Sequence, residues 1–468
     1  MKKNKLDVLL SFILNNSEYK KKIYDRFQID SRNVEKNQVF LSLDDNNTKN
    51  LKNINNAIKN NASAIVTSLK ISRKDIKTTI PFLIIKDLKD IYYKIYIDTI
   101  KKHNSKIKII GVTGTNGKTS TTLLLANALQ NAKKKVAVIS SEGIGIFSRL
   151  KENNYTTPTI DIIYKFYDKF ISLSCDYIIV ECSSQGLHQG RLKGIIFDYS
   201  IITNIYSDHL DYHKTIKSYI NSKLLILDQS KVAFINYQSP ILKKIDFSKY
   251  KKTKIEYIQH DRDCTESINK IHKDYIRNNN KNFHISSLHF AKCIMNAEGI
   301  KDRIIKNSIS NLKAIEGRRN IIHTKKKGTF IIDYAHTNQS YADIYKDFNT
   351  DKPITTLFGC GGDRDKAKRK ITGRIVDRYS SRIFITEDNS RSEEFILIAR
   401  DILGGIKKKS KCIIEKSRKK ALKKLIIQSR SHDINFILGK GNESYIIRGK
   451  QKIRHNDMKY IMEMIKKV

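Results

Sequence analysis

The chain has 468 residues, room for two or three domains with cores of their own, and its 89 Lys+Arg against 47 Asp+Glu give a formal charge of +42. Such a charge invites a nucleic-acid reading, but the lysines are spread among Ile and Asn along the whole length. No basic stripe joins a helix-turn-helix, zinc or RNA-stacking pattern, so the charge reads as a solvated cationic surface that would attract a polyanionic substrate. The six cysteines show no C-x-x-C spacing and suggest neither a disulfide framework nor a zinc knuckle, so a reducing compartment is expected. No apolar run reaches the roughly 18 residues of a membrane span, and VLLSFIL at 8–14 is too short for a secretory signal, so a cytoplasmic protein is expected.

Residues 1–98 predict a small α/β domain, with strands in QVFLSL (38–43), SAIVTSL (63–69) and PFLIIK (81–86) between Asn-rich helical patterns. A helical stretch at 87–103 leads into a central domain, 99–315, whose strands KIKIIGVT, KVAVIS (135–140), DYIIVE (176–181) and DYSIITNI (198–205) alternate with helices. Continuous apolar strands between helices imply a mostly parallel sheet covered on both faces. The Lys/Asn-rich segment near 259–282 reads as a tolerated insertion. A second alternating set, 316–468, carries TFIIDYAH (329–336), ITTLFGCGG (354–362), RIFITEDN (382–389) and INFILGKG (434–441). Each of these strands ends in a polar or Gly-rich turn, where open α/β sheets place ligands.

The strongest local signal is GVTGTNGKTS at 111–120, a glycine-rich turn between a buried strand and a helix that opens on a lysine and a hydroxyl. Backbone N–H groups from Gly114, Thr115, Asn116 and Gly117 through Lys118, Thr119 and Ser120 would converge on an anion at the positive end of the helix. Lys118 can neutralise β/γ-phosphate oxygens and Thr119 can hold Mg²⁺. Val112 stands where the usual P-loop spacing has its first glycine. Chemistry accumulates at other strand ends. Glu181 closes DYIIVE, and His209 lies in DHLDYH after the next strand; both can reach a metal above the P-loop. Asp388, Asn389 and Arg391 in EDNSRSEE, with Glu443 in GKGNE, offer both charges, as a zwitterionic amino acid needs. Asn389 or Ser390 could also cap a helix whose first turn carries Glu393 and Glu394.

Ten segments in order resemble the Mur ligase family over nearly the whole chain: DSR (30–32), GVTGTNGKT, TTP (156–158), ECSSQGLHQGR (181–191), DHLDYH (208–213), GRR (317–319), DYAHT (333–337), FGCGGDRDKAKR (358–369), DNSR (388–391) and GKGNE. The resemblance implies three domains: one holding the UDP end, a central P-loop ATPase and a C-terminal Rossmann-like one bringing the amino acid. It implies an ATP-dependent, Mg²⁺-requiring amide ligase of peptidoglycan precursor synthesis that works through an acyl phosphate, as a monomer. By register with the family, Lys118, Glu181, His209 and Lys223 are catalytic, and Thr119, Glu181, His209 and a carbamylated Lys223 hold metal. Arg318 or Arg319, with Asp333, complete the ATP site. Ser31, Thr156, Thr157, Ser184, Gln189 and Arg191 match the contacts to UDP-MurNAc-dipeptide. Arg364, Asp388, Asn389, Arg391, Gly439 and Glu443 match those to the amino acid. Members adding meso-diaminopimelate carry D-N-P-R at the acceptor loop; Arg391 is kept here although Ser390 replaces the proline, which favours diaminopimelate over L-lysine.

The chain departs from the family pattern at Gln185, Asn338 and Asn442, and at Ser287, Phe290 and Cys293 when SSLHFAKC (286–293) is set against the adenine-side motif. The competing readings are a P-loop NTPase acting on nucleic acid, a folylpolyglutamate synthetase relative, and a pseudoenzyme that only binds the UDP-sugar. The first would call for stacking platforms in the C-terminal half. The second has no need of DSR or of the acceptor-loop arginine.

Overall fold

The structure is a computed structural model that describes residues 26–36, 38–43, 47–68, 76, 79–94, 107–153, 155–258, 285–348 and 350–466. The apolar run at 8–14 and the segment at 259–282 lie outside these residues; of the helical stretch predicted over 87–103, residues 88–94 are helical and 95–103 lie outside. The chain divides into two compact units, residues 1–103 with 193–195, and residues 104–192 with 196–468.

The first unit is a four-stranded parallel sheet, β1 (Arg26–Gln28), β2 (Gln38–Ser42), β3 (Ala64–Thr67) and β4 (Phe82–Ile84), in sequential order. The helix Asn47–Lys59 turns Ile54 and Ala57 onto Phe40 and Ile65 in its core. Asn50, buried on the same face, accepts from the Ser42 hydroxyl at 2.8 Å, so this polar side chain is satisfied where it is buried.

The second unit holds two large sheets. The first runs β11 (Lys254–Ile258), β10 (Ser230–Asn236), β9 (Phe197–Ile202), β5 (Lys108–Thr113), β8 (Tyr177–Glu181), β6 (Val136–Ser140) and β7 (Gly143–Ile146), all parallel except the edge strand β7. Its central strand β5 is flanked by β8 and β9, so Glu181 and His209 arrive from either side of the P-loop strand rather than from strands paired with each other. The helix Lys118–Asn131 is buried continuously from Thr119 to Leu129, because the helices Ile285–Ala297 and Asp302–Ser310 cover the side turned away from the sheet. A helix covered all round needs no amphipathic stripe, and this one has none.

The other large sheet runs β12 (Asn320–Thr324), β13 (Gly328–Asp333), β17 (Ile434–Leu438), β14 (Ile354–Phe358), β15 (Arg382–Ile385) and β16 (Cys412–Ile414), parallel except for β12. Alternation along β13 sends Ile331 to a core with Tyr341, Tyr345, Val376 and Phe436, and sends Phe330 and Ile332 to a second core with Leu422, Leu425 and Ile461. Behind the second core, Arg418 and Asp457, both fully buried, pair at 2.7 Å. An antiparallel hairpin, β18 (Tyr445–Arg448) and β19 (Gln451–Arg454), follows.

Candidate active site

The carboxyl ends of β5 and β8, the segment after β9, and the ends of β13, β14, β15 and β17 line one cleft of about 540 Å³. On the P-loop side the turn is built as its glycines require. Gly114 has φ 150° and lies so close to Thr203 that a Cβ would sit 1.9 Å from its hydroxyl oxygen, while Gly117 takes φ 82° as the residue before the helix. Asn116 is clamped, its N–H donating to the Asn204 side chain at 2.9 Å and its carbonyl accepting from Thr203 at 2.7 Å. Lys118 folds back over the loop, donating to the carbonyls of Gly114 (3.0 Å) and Thr115 (2.9 Å). Burial lowers its ammonium pKa against the opposing fields of Glu181 and Asp208.

Beside it, Thr119 donates to Glu181 at 3.0 Å, and Ser141 supplies both its N–H (3.1 Å) and its hydroxyl (3.0 Å) to the other oxygen of the same carboxylate. This oxygen-rich group fits a hard divalent cation such as Mg²⁺. Among the described residues no three His, Cys, Asp or Glu side chains gather as a complete metal site. His209 sits in the left-handed region (φ 53°), with Nε2 3.6 Å from Asp208, and burial pushes its pKa down to about 4. Its ring is therefore neutral near pH 7, the form that can ligate a metal. Lys223 is 1% exposed, donates to the Gly114 carbonyl at 2.6 Å and lies over the Tyr219 ring. Burial first, then the charge of Lys118, holds its pKa well below the usual lysine value.

Thr157, Ser184 and Arg191 line the cleft together with Thr156. Thr157 donates to the Glu181 carbonyl at 2.7 Å, and Arg191 donates to the Thr157 carbonyl at 2.7 Å and to Gln189 at 2.6 and 2.9 Å. Ser184 is held by His213 at 3.0 Å, a buried ring that also faces Ser222 at 3.3 Å. Ser31 belongs to the first unit, where it is buried and its carbonyl accepts from Asn60 at 2.9 Å.

Of the two candidate arginines, Arg318 lines the cleft, stacked 4.3 Å over the Tyr334 ring, whereas Arg319 is turned away onto Asp347 at 2.6 Å. Asp333 receives the Arg319 backbone N–H at 2.9 Å, and burial raises its pKa. Glu142, next to Ser141, meets both Arg318 (3.4 Å) and Asn442, so the turn after β6 touches the phosphate side and the GKGNE loop through consecutive residues. Neither Ser141 nor Glu142 is marked by any motif in the sequence.

At the ends of β14, β15 and β17, Arg364, Asp388, Asn389, Arg391, Gly439 and Glu443 share the cleft wall. Arg391 takes φ 50°, its N–H donating to Ile447 O (3.1 Å) and its carbonyl accepting from Gly449 N–H (2.7 Å). One guanidinium nitrogen, NH1, donates to Gly362 O at 2.7 Å and contacts Asn389 O at 3.4 Å. Asn389 and Ser390 do not cap the following helix, which starts at Phe395 after Glu394. Their side chains are engaged elsewhere, Asn389 with Glu443 (2.9 Å) and the Ile447 N–H (2.9 Å), Ser390 with Glu387 (2.8 Å). Ser287 and Phe290 do not line the cleft. Ser287 pairs with Thr121 at 2.9 Å, and Phe290 fills the core beneath the P-loop helix.

Residues 112–300 match the Mur ligase middle domain, and residues 317–441 match the Mur ligase glutamate ligase domain. UDP-N-acetylmuramoyl-L-alanyl-D-glutamate--2,6-diaminopimelate ligase of Clostridium tetani is 32% identical, with 95% of each chain covered. A solved structure of an enzyme of that name superposes with a TM-score of 0.57 at 22% identity, covering 97% of this chain and 96% of that one. A MurF ligase from Thermotoga maritima, solved in complex with ADP, superposes at 0.57 with 15% identity, over 96% and 98% of the two chains. With its glycine-rich loop, the Glu181 carboxylate and the Asp388–Arg391 segment in one cleft, and with sequence relationship along almost its full length, the chain belongs to the Mur ligases, a family of ATP-dependent amide ligases.

Proposed function

We propose that the chain adds meso-diaminopimelate to UDP-MurNAc-L-Ala-D-Glu at the expense of ATP, in the cytoplasm and as a monomer. The observation that carries this reading is the single cleft in which Lys118, Glu181 and His209 face Arg391, Asp388 and Glu443. The terminal carboxylate of the dipeptide attacks the γ-phosphorus, ADP leaves, and an acyl phosphate forms. The free amine of the amino acid then attacks the acyl carbon, the C–O bond to phosphate breaks, and the amide forms with loss of a proton. Mg²⁺ held by Thr119, Glu181, His209 and Lys223 as its carbamate would neutralise phosphate oxygens. The depressed pKa of Lys223 favours the neutral amine that CO₂ addition requires.

Lys118 stabilises the charge that gathers on the transferring phosphoryl group. Arg318, aimed into the cleft, takes the role in ATP binding for which Arg319 is turned the wrong way. Thr156, Thr157, Ser184, Gln189 and Arg191 bind the UDP-MurNAc-dipeptide; Arg364, Asp388, Asn389, Arg391, Gly439 and Glu443 bind the diamino acid. The same reading divides the chain into domains at 1–98, 99–315 and 316–468, the last two each owning one large sheet of the second unit. Release of phosphate from ATP with UDP-MurNAc-dipeptide, measured with diaminopimelate and L-lysine in parallel, tests it. Turnover with diaminopimelate in clear excess is expected; preference for lysine overturns the substrate assignment, and no turnover with either overturns the ligase assignment.

A further inference from the structure

Three residues of the acceptor wall are bonded to a buried charged residue that the sequence does not single out. Lys440, the second residue of GKGNE, has a fully buried side chain, yet its ammonium lies among three groups assigned to the incoming amino acid. It donates to Asp388 Oδ1 at 3.2 Å, to Asn389 Oδ1 at 3.2 Å and to Glu443 Oε2 at 2.5 Å. An ammonium has three N–H groups and no acceptor. All three are spent, so Lys440 cannot itself bond the ligand. It can only fix what does.

We propose that Lys440 is the positioning residue of the acceptor pocket, the buried cation that locks the carboxylates of Asp388 and Glu443 and the amide of Asn389 into one preorganised, singly negative group for the ammonium of a zwitterionic amino acid. This rests on the reading of the cleft as a diamino-acid site.

Three observations support it. The three acceptors come from two different strand ends, the segment after β15 and the segment after β17, and Lys440 joins them across that gap. Two carboxylates facing one pocket repel each other and would drift apart or take up a proton without a cation between them. Lys440 also leaves each acid an edge to offer. Asp388 uses Oδ1, with Oδ2 turned to Gly439, where a side chain would come within 3.2 Å. Glu443 offers Oε1 beyond its 3.3 Å contact with the Tyr334 hydroxyl. The sum Asp388⁻, Glu443⁻ and Lys440⁺ leaves one negative charge, matched to one ammonium, while Arg391 stands by for a carboxylate.

The test is steady-state kinetics of Lys440→Met, which keeps the length of the side chain and removes its charge, with each substrate varied in turn. The expected result is a rise of roughly 10- to 150-fold in KM for diaminopimelate, the range for loss of a charged hydrogen-bonding partner, while KM for ATP and for UDP-MurNAc-dipeptide stays within about two-fold. A purely structural lysine would lower the folded fraction and leave the three KM values together; that outcome, or parent-like kinetics, overturns the proposal. Should Lys440→Met fail to fold, Lys440→Gln decides, since it removes the charge but keeps a polar donor. A KM rise confined to the amino acid supports the proposal, and a parent-like or uniform change overturns it. A parent enzyme inactive with every diamino acid would instead remove the reading of the site, so the two failures are told apart by the parent alone.

Discussion

Arg391→Ala is the most discriminating single change. In the structure NH1 is committed to the carbonyls of Gly362 and Asn389, while Nε and NH2 make no hydrogen bond to the described residues and belong to a side chain lining the cleft. A planar fork with one nitrogen anchored and an edge free is suited to a carboxylate. Truncation leaves the distal carboxylate of diaminopimelate without its partner, a loss of about 1.5–3 kcal/mol for a hydrogen bond to a charged group. In kcat/KM this is a fall of roughly 10- to 150-fold. Alanine keeps a Cβ, so the backbone cost of φ 50° is nearly the same before and after and cancels from the comparison. The assay is phosphate release with diaminopimelate and L-lysine as separate acceptors. L-Lysine lacks the distal carboxylate, so its kcat/KM should stay level or rise, and the ratio between the two should collapse through the diaminopimelate value. Equal losses with both acceptors would refute the reasoning and make Arg391 a support of its loop. Arg391→Lys, which keeps charge and loses the fork, should fall between parent and alanine.

Lys118→Ala should lower ligation by more than about 100-fold with the fold intact by circular dichroism, because the charge aimed at the phosphoryl group is lost; activity within a few-fold of the parent would remove the P-loop from the mechanism. Lys223→Ala should be inactive and partly restored by short carboxylic acids, which replace the anionic ligand that a carbamate would provide; full activity without additives would place this residue outside the site. His213, buried between Ser184 and Ser222, has its pKa pushed down to about 4. The unfolded chain, near 6.5, therefore binds the extra proton first, and stability present above pH 6.5 is lost as pH falls toward 4. Thermal melts over that window should show a shallower decline in His213→Gln than in the parent; parallel declines would mean that the ring does not contribute.

Much of this was readable because it is local. The strand before the P-loop, its glycines and the hydroxyl at Thr119 follow from a contiguous stretch whose conformational demands are visible residue by residue. The strand-end positions of Glu181 and Asp388 follow from apolar runs that stop at polar residues, and that of Glu443 from the Gly-rich turn after Leu438. What escaped depends on contacts across the fold. Arg318 and Arg319 are neighbours of one type, and only the left-handed turn at Arg319 and the availability of Asp347 decide which enters the cleft. Lys440 is one lysine in a lysine-rich chain, made distinctive only by burial. Ser141 and Glu142 lie in an ordinary turn, and their roles come from Glu181, Arg318 and Asn442, far away in sequence. The expected cap at Asn389 or Ser390 failed because those side chains found tertiary partners before a helix could use them. The antiparallel edges β7 and β12 and the hairpin β18–β19 were not expected, because short, partly polar segments carry too weak an alternation to stand out.

The hairpin β18–β19 forms a two-stranded sheet of its own, with every residue of β19 exposed, and none of its residues belongs to either core of the neighbouring six-stranded sheet. Its contribution is entropic. By gripping Arg391 through two backbone hydrogen bonds, from its N–H to Ile447 and from Gly449 to its carbonyl, it fixes the base of the recognising side chain before any amino acid arrives. Ordering a flexible side chain on binding costs about 0.5–1.5 kcal/mol. A loop already set by the hairpin has met part of that cost during folding, so more of the contact energy can appear as discrimination between acceptors that differ by a single carboxylate.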